Sequence, residues 1–555
     1  MTLVADPVAA EPDVRRLWKA PLWAHLAVLA VGLLALMPFI GTGSSFSADE
    51  GAAIIQARSL SRGDGWIVEH PVPEADPARA AYPLELSEWG QKGVAPFGKH
   101  PLYALMLAGA DRVAGVAGMV ALSVLGTVAA AGLAALLAGR IDPALARPTL
   151  WVAGVASPLF FDGYLVIAHT LGAACAAGAV LAAAVAFERR SRVYALAVLP
   201  CVIAAVLLRT EAAFLALGLA AAAVVVGFRR DRLVAGLVAA SSLLAGFAGR
   251  ALERAWIGHI VGGPVAGGGP TSPIPTAGFL ADRKQAFVLT WLRPSYDASR
   301  TVDLLLVLVL GGLLFAAYTV RRHRPGTATG VGVAGAAALL ALVLDPTNIV
   351  PGLLITCPVA VAGLALAGRS TFASPAARLA GVTAAVFAAG VVATQYATGG
   401  SGEWGGRYFA LALPVALPLA VYAIRACGSR PLVVGVVASS LALGAMGVGS
   451  LRASHQRGAG FVAALDRAAG PGRPVMVTTI PLVPRMAWPT FDRQRWLLSK
   501  RADLATLVDR LGPAGVQRFT FVTRDASDLA LLPPGLVRES ATTYANWQIL
   551  VLRTS

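Results

Sequence analysis

The chain has 555 residues, of which 57% are hydrophobic and only 14% charged, and its mean hydropathy is +0.68. Apolar runs close to the length that crosses a bilayer recur along it, which excludes a soluble globular protein and predicts a polytopic α-helical membrane protein. The formal net charge of +16 would point to nucleic acid in a soluble chain, but here much of the basic excess falls in short loops between apolar runs. There it reports orientation in the membrane and implies no nucleic-acid partner.

In chain order, a basic stretch (Arg15, Arg16, Lys19) precedes the first apolar run, Pro21 to Ile40, and no clear small-residue cleavage site follows before Asp49, so this run reads as a retained helix. Further runs sit near 117–139, 148–164, 170–187, 193–209, 210–228, 233–250, 302–320, 327–345, 348–368, 376–397, 408–427 and 431–451. Together they predict about thirteen transmembrane helices. Alternate loops carry the arginine clusters (Arg140/Arg147, Arg189/Arg190/Arg192, Arg229/Arg230/Arg232, Arg321/Arg322/Arg324, Arg369/Arg378, Arg425/Arg430). Placing these in the cytoplasm puts the N-terminus, 1–20, there as well. The transmembrane domain then spans 21–451, with a large outer loop 42–116 and a second outer loop 251–301.

After Leu451 hydropathy falls. Val475–Ile480, Gln517–Thr523 and Gln548–Leu552 read as strands, and Ala502–Leu511 as a helix, so 452–555 is expected to be a small extracytoplasmic α/β domain. Its basic excess (Arg485, Arg493, Arg495, Lys500, Arg501) is suited to guide an anionic acceptor or to rest on anionic lipid. Gly330-Val-Gly332-Val-Ala-Gly335 matches GxGxxG, but it opens an apolar run with no strand before it and reads as helix packing. Cys175, Cys201, Cys357 and Cys427 lie in or beside apolar runs without CxxC spacing, which leaves neither a disulfide framework nor a zinc site.

The polar residues that stand out all fall on the outer side. Asp49-Glu50 opens an amphipathic stretch, where acidic residues suit the helix dipole, yet Ser47 already offers an N-cap and two carboxylates exceed what capping requires. Lys99-His100-Pro101 enters an apolar helix with proline in the first turn; its cation either holds a phosphate or snorkels to the interface. Asp162 and His169 belong to an outer turn between two short spans. Arg209-Thr210-Glu211 forms a tight turn whose charges either pair together or meet a ligand. In Glu403-Trp404-Gly405-Gly406-Arg407-Tyr408, the glycine pair would let a ligand approach Arg407, while an interfacial aromatic belt accounts for Trp404 and Tyr408. His70, His259 and His455 are scattered, so no cofactor is specified, and a divalent metal remains an open expectation with no assigned ligands.

The segments SADEGAAIIQARSL, KHPLYALMLA, LLRTEAAFLAL and EWGGRYFALALP resemble the GT-C superfamily of membrane glycosyltransferases, particularly the protein O-mannosyltransferase and lipid A aminoarabinose transferase branch. The resemblance covers a small part of the chain, in the expected order. It implies that Asp49 is the catalytic base or acceptor-binding carboxylate with Glu50 in support, and that Lys99, His100, Arg407 and, more weakly, Arg209 hold the donor phosphate. Asp162, His169, Glu211, Glu403, Trp404 and Tyr408 are weaker substrate-binding candidates. His100 and Gly406 stand where proline is commoner in the family, so donor and acceptor do not transfer from a relative.

The expected activity is therefore transfer of a sugar from a polyprenyl-phosphate donor to an envelope glycan, lipid or protein acceptor at the outer face of a bacterial plasma membrane. Arginine over lysine and abundant alanine suggest a high-GC bacterium, for which arabinose and mannose are candidate sugars. A transporter or flippase of a lipid-linked or small-molecule substrate is the alternative. A non-catalytic scaffold would leave Asp49, Glu50 and Arg407 unexplained.

Overall fold

The computed structural model describes residues 20–84, 88–96, 100–227, 231–263, 278–287, 290–291, 352–395 and 404–554. Lys99, Glu403, the runs 302–320 and 327–345, the Gly330–Gly335 pattern, the basic segment before residue 20, and the cations at 229, 230, 321, 322 and 324 lie outside them.

Helix α1 (Leu22–Ile40) is followed by α2 (Ala48–Arg62), a short hairpin of β1 (Glu88–Gly90) and β2 (Gly93–Ala95), and the long α3 (Pro101–Ile141). Then come α4 (Ala146–Val155), α5 (Pro158–Asp162), α6 (His169–Arg189), α7 (Arg192–Leu208), α8 (Ala212–Gly227), α9 (Arg232–Val261) and α10 (Phe279–Phe287). The described helical body ends with α11 (Leu353–Thr356), α12 (Pro358–Leu366), α13 (Pro375–Thr394), α14 (Leu413–Ala426) and α15 (Arg430–Ala469).

Among the described residues, six helices are long and apolar enough to cross a membrane: α1, α3, α6, α9, α13 and, from Leu432, α15. The protein is thus a mostly helical, multi-pass membrane protein. Several sequence boundaries move. The run expected at 148–164 is two short helices, because Ser157 caps a new helix at Pro158 and proline cannot continue the old one. The run at 348–368 likewise divides at Cys357-Pro358. Of the segment 42–116 expected as a loop, residues from Pro101 on are already helical, with a kink at Ala114-Gly115. The segment 251–301 is likewise helical as far as Val261, and α15 passes residue 451 without a break.

The helices pack through small residues. Ala130, Ala131, Ala134 and Ala135 of α3 and Ala173, Ala176 and Ala177 of α6 are fully buried. Lipid gives apolar side chains no reason to leave it, so tight backbone approach supplies the association that hydrophobic exclusion cannot.

Beyond α15 the chain builds β3 (Val475–Thr478), α16 (Leu482–Met486), β4 (Arg495–Leu498), α17 (Leu504–Leu511), β5 (Arg518–Thr523), α18 (Ala526–Leu529), β6 (Val537–Tyr544) and β7 (Trp547–Arg553). The strands form one sheet in the order β4-β3-β5-β7-β6, parallel across β4-β3-β5 and antiparallel across β5-β7-β6. Val475, Val477, Leu497, Phe519, Phe521, Leu550 and Leu552 pack together with Leu504, Leu507, Val508 and Leu511 of α17 in one apolar cluster. The short helix α16, which follows β3, packs against α2.

Candidate active site

The head of α2 separates the two adjacent carboxylates. Ser47 and Glu50 form a reciprocal capping box: the Ser47 N–H donates to Glu50 Oε1 at 2.7 Å, and the Glu50 N–H donates to Ser47 Oγ at 3.5 Å. Glu50 Oε2 accepts the N–H of Val166 at 3.0 Å. Glu50 is 1% exposed, and its burial pushes the carboxyl up to about 7 in spite of those donors. It secures the start of α2 and ties it to the loop between α5 and α6.

Asp49 faces cations instead. Its Oδ2 accepts from Arg407 Nη1 at 2.9 Å, and its Oδ1 lies 3.7 Å from Arg485 Nη1. Burial raises the Asp49 carboxyl, but Arg407, Arg485 and, at longer range, Arg209 outweigh it and hold the group below its ordinary value. About a third of the Asp49 side chain is exposed (33%), against 15% for Arg407 and 3% for Arg485. The carboxylate is thus ionised, oriented and reachable.

Arg407 opens a short 3-10 turn directly after Gly405 and Gly406, which have φ of 78° and 64°. A Cβ at Gly405 would come within 2.6 Å of Pro158, and one at Gly406 within 2.7 Å of the Thr290 carbonyl. The glycine pair therefore admits protein backbone and side chains where a ligand was expected. Trp404 stacks on Phe161 with centroids 5.1 Å apart, and Tyr408 lies under the Arg407 guanidinium at 5.4 Å. Both aromatics are buried, which corrects their reading as an interfacial belt.

Arg209 and Glu211 pair with each other in a fork, Nη2 to Oε1 at 2.5 Å and Nε to Oε2 at 3.1 Å. Burial raises the Glu211 carboxyl and Arg209 more than reverses it. His100 precedes α3 and meets Glu253 of α9 through Nδ1 at 3.0 Å, with Arg250 on the other Glu253 oxygen at 2.5 Å.

Asp162 closes α5 and His169 opens α6. Both are buried, and among the described residues neither the Asp162 oxygens nor the His169 ring nitrogens have a hydrogen-bond partner. Burial carries the Asp162 carboxyl up to about 8 against the pull of Arg407 and Arg209, the two cations that also bear on the site. A small pocket of mixed lining, with Ser157, Phe160, Phe161, Thr356, Trp404 and Ser440 on its wall, lies beside α5.

Among the described residues no group of three or more His, Cys, Asp or Glu is gathered to hold a metal ion. His70 pairs with Asp76 at 3.0 Å, His455 packs on Ser44, and His259 ends α9. These donors do not fit a divalent-metal centre.

Sequence reasoning brought together Asp49, Arg407, Arg209 and Asp162 but missed the contact of Arg485. No local pattern marks it, since Arg485 figured only in the basic excess of the C-terminal region. Three of the other four cations of that set are likewise engaged: Arg493 with Asp466 at 3.6 Å, Arg501 with Asp525 and Asp528 at 3.0 Å each, and Arg495 with the Arg473 carbonyl.

This architecture, a helical membrane body followed by a mixed sheet, is a fold shared with a solved oligosaccharyltransferase of low sequence identity. The oligosaccharyltransferase of Archaeoglobus fulgidus, solved with zinc and sulfate, shares it at TM-score 0.51 and 14% identity, over 92% of this chain and 69% of that one. AglB of the same organism, in complex with an inhibitory peptide and dolichol phosphate, gives 0.48 and 12% over 92% and 70%. ArnT from Cupriavidus metallidurans bound to undecaprenyl phosphate gives 0.46 and 14% over 96% and 98%. No protein-family model and no curated protein sequence matches the chain.

Proposed function

We propose that the chain is a polyprenyl-phosphate-sugar-dependent glycosyltransferase, acting on an envelope glycan, lipid or protein acceptor at the outer face of a bacterial plasma membrane. The single observation that carries this reading is the Asp49–Arg407 pair at the head of α2. It supplies a general base and a phosphate-binding cation in direct contact, the two groups that displacement at an anomeric carbon requires.

In this mechanism Asp49 takes the proton of the acceptor hydroxyl as its oxygen attacks the anomeric carbon from the face opposite the phosphate. The carbon–oxygen bond to phosphate breaks, the electron pair leaves on the phosphate, and configuration inverts. Arg407 stabilises the departing charge, with Arg209 as a second cation that bears on Asp49, and the resemblance adds Lys99 and His100 to this donor-phosphate set. Glu50 acts as the cap that fixes α2.

An Asp49 paired with Arg407 is a weak base, because the guanidinium favours the ionised form. A donor phosphate resolves this by competing for Arg407. Once the guanidinium turns to the phosphate, Asp49 regains basicity, so donor binding precedes and enables deprotonation of the acceptor.

The test uses purified protein, radiolabelled polyprenyl-phosphate sugar and a glycan or peptide acceptor, with wild type beside Asp49→Ala. Loss of transfer in the variant is expected. Undiminished transfer removes Asp49 as the base, and substrate flux across proteoliposomes without transfer establishes the transporter instead.

A further inference from the structure

The segment bearing Arg485 belongs to the sheet region, yet it runs along α2 and meets the same helix three times. At Gly51 an added Cβ would lie 1.9 Å from the Arg485 carbonyl oxygen, so only glycine admits the approach. One face further along, the Arg58 guanidinium covers the Trp488 ring at 4.7 Å, and Arg62 pairs with Asp492 at 2.5 Å. Positions 51, 58 and 62 are seven and four residues apart, the spacing of one helical stripe. Trp488 is buried within the core of the helical body.

Arg485 is anchored as well as seated. Its Nε donates to the Pro481 carbonyl at 3.1 Å, within its own turn, and its Nη1 faces Asp49 Oδ1 while Arg407 takes Oδ2. The carboxylate is therefore gripped from two sides, by a cation of the helical body and by a cation of the sheet region.

We propose that Arg485 is a positioning residue for Asp49. The sheet region completes the catalytic site by holding one carboxylate oxygen in place when Arg407 is drawn to the donor phosphate. This rests on the role assigned to Asp49 above, and it gives the C-terminal region a task different from acceptor guidance. The other groups that bear on Asp49 are Arg407 from the turn before α14 and Arg209, with its partner Glu211, from the turn between α7 and α8, while Glu50, its neighbour in α2, is turned to the Ser47 and Val166 N–H groups. On α3, which packs against α2, Asp111 bonds Ser61 and Arg112 bonds the Ser61 carbonyl, both at the far end of the helix.

The experiment follows the Asp49 carboxyl directly, by infrared difference spectroscopy of full-length protein in nanodiscs through a pH titration. Each background is measured with and without D49N so that the Asp49 band is isolated. Arg485→Gln is expected to raise the titration midpoint by about one pH unit, and Arg485→Lys, which keeps the charge, to restore much of it. Arg58→Gln, which loosens the seat of Trp488 without touching a partner of Asp49, is the second variant and shifts the midpoint less, in the same direction. An unmoved midpoint in Arg485→Gln, or in Arg58→Gln where Arg485→Gln is not monodisperse, overturns the proposal. Sugar transfer that survives D49N overturns the base role of Asp49 and leaves the titration result standing, so the two failures are distinct.

Discussion

If the donor phosphate must take Arg407 away from Asp49, neutralising Asp49 should improve donor binding while it abolishes turnover. The Arg407–Asp49 contact is charge-assisted at 2.9 Å, a kind worth about 1.5–3 kcal/mol. A third of the Asp49 side chain faces solvent, so the lower end applies. Asn at position 49 keeps only a neutral acceptor, and the guanidinium is then freed at roughly 1.5 kcal/mol less, a gain of about tenfold in affinity. Loss of the general base lowers transfer by about 10²–10⁴. The assay pairs a dissociation constant for polyprenyl phosphate, measured on D49N and wild type in nanodiscs, with single-turnover transfer from the labelled donor. D49N that binds the lipid phosphate no more tightly than wild type refutes the exchange of partners at Arg407.

Three further outcomes follow from the same geometry. Glu50→Ala strands the half-buried N–H of Ser47 and the buried N–H of Val166 and should cost about 1–3 kcal/mol of stability, read as a lower unfolding temperature. The Glu50 carboxyl, raised from 4.5 to about 7, keeps its proton in the folded state where the unfolded chain has lost it. Stability is therefore full below pH 4.5 and falls as pH rises toward 7, by up to about 3 kcal/mol, and a melting profile of Glu50→Gln that keeps this slope would assign it elsewhere. Gly406→Ala places a Cβ against the Thr290 carbonyl at a φ of 64°, a strain of about 1–3 kcal/mol. Donor binding, which depends on the Arg407 turn, should weaken before the fold does, and unaltered binding would show that the turn tolerates the change.

The elements that were legible are those whose signal is local. The start of α2 is visible in Ser47 and Glu50 at capping-box spacing, and the apolar runs mark the crossing helices well enough to find α1, α3, α6, α9, α13 and α15. Hydropathy measures composition, not continuity, so it passed over Ser157-Pro158, where one apolar stretch becomes two short helices. Gly405-Gly406 was legible as a site needing glycine, but what occupies the vacant space, Pro158 and Thr290, depends on tertiary packing. Arg485 was illegible for a related reason. A cation acquires its role from the carboxylate it meets, and Asp49 lies at the other end of the chain.

The adjacent carboxylates show where resemblance stops and geometry takes over. Successive residues of a helix project about 100° apart, so Asp49 and Glu50 at the head of one helix cannot face the same partner. One of them turns inward, and the capping box selects it: the Ser47 and Val166 N–H groups fix Glu50 in the interior. That leaves Asp49 directed at Arg407 and Arg485. The cap thus does more than start a helix. By holding Glu50 it sets the rotation of α2, and the rotation of α2 aims Asp49 at its cations. Glu50→Gln, which preserves one of the two carboxylate contacts, should on this account reduce turnover through the placement of Asp49 while leaving the acidic limb of the pH–rate profile where it is, whereas a shifted limb would make Glu50 itself a participant in proton transfer.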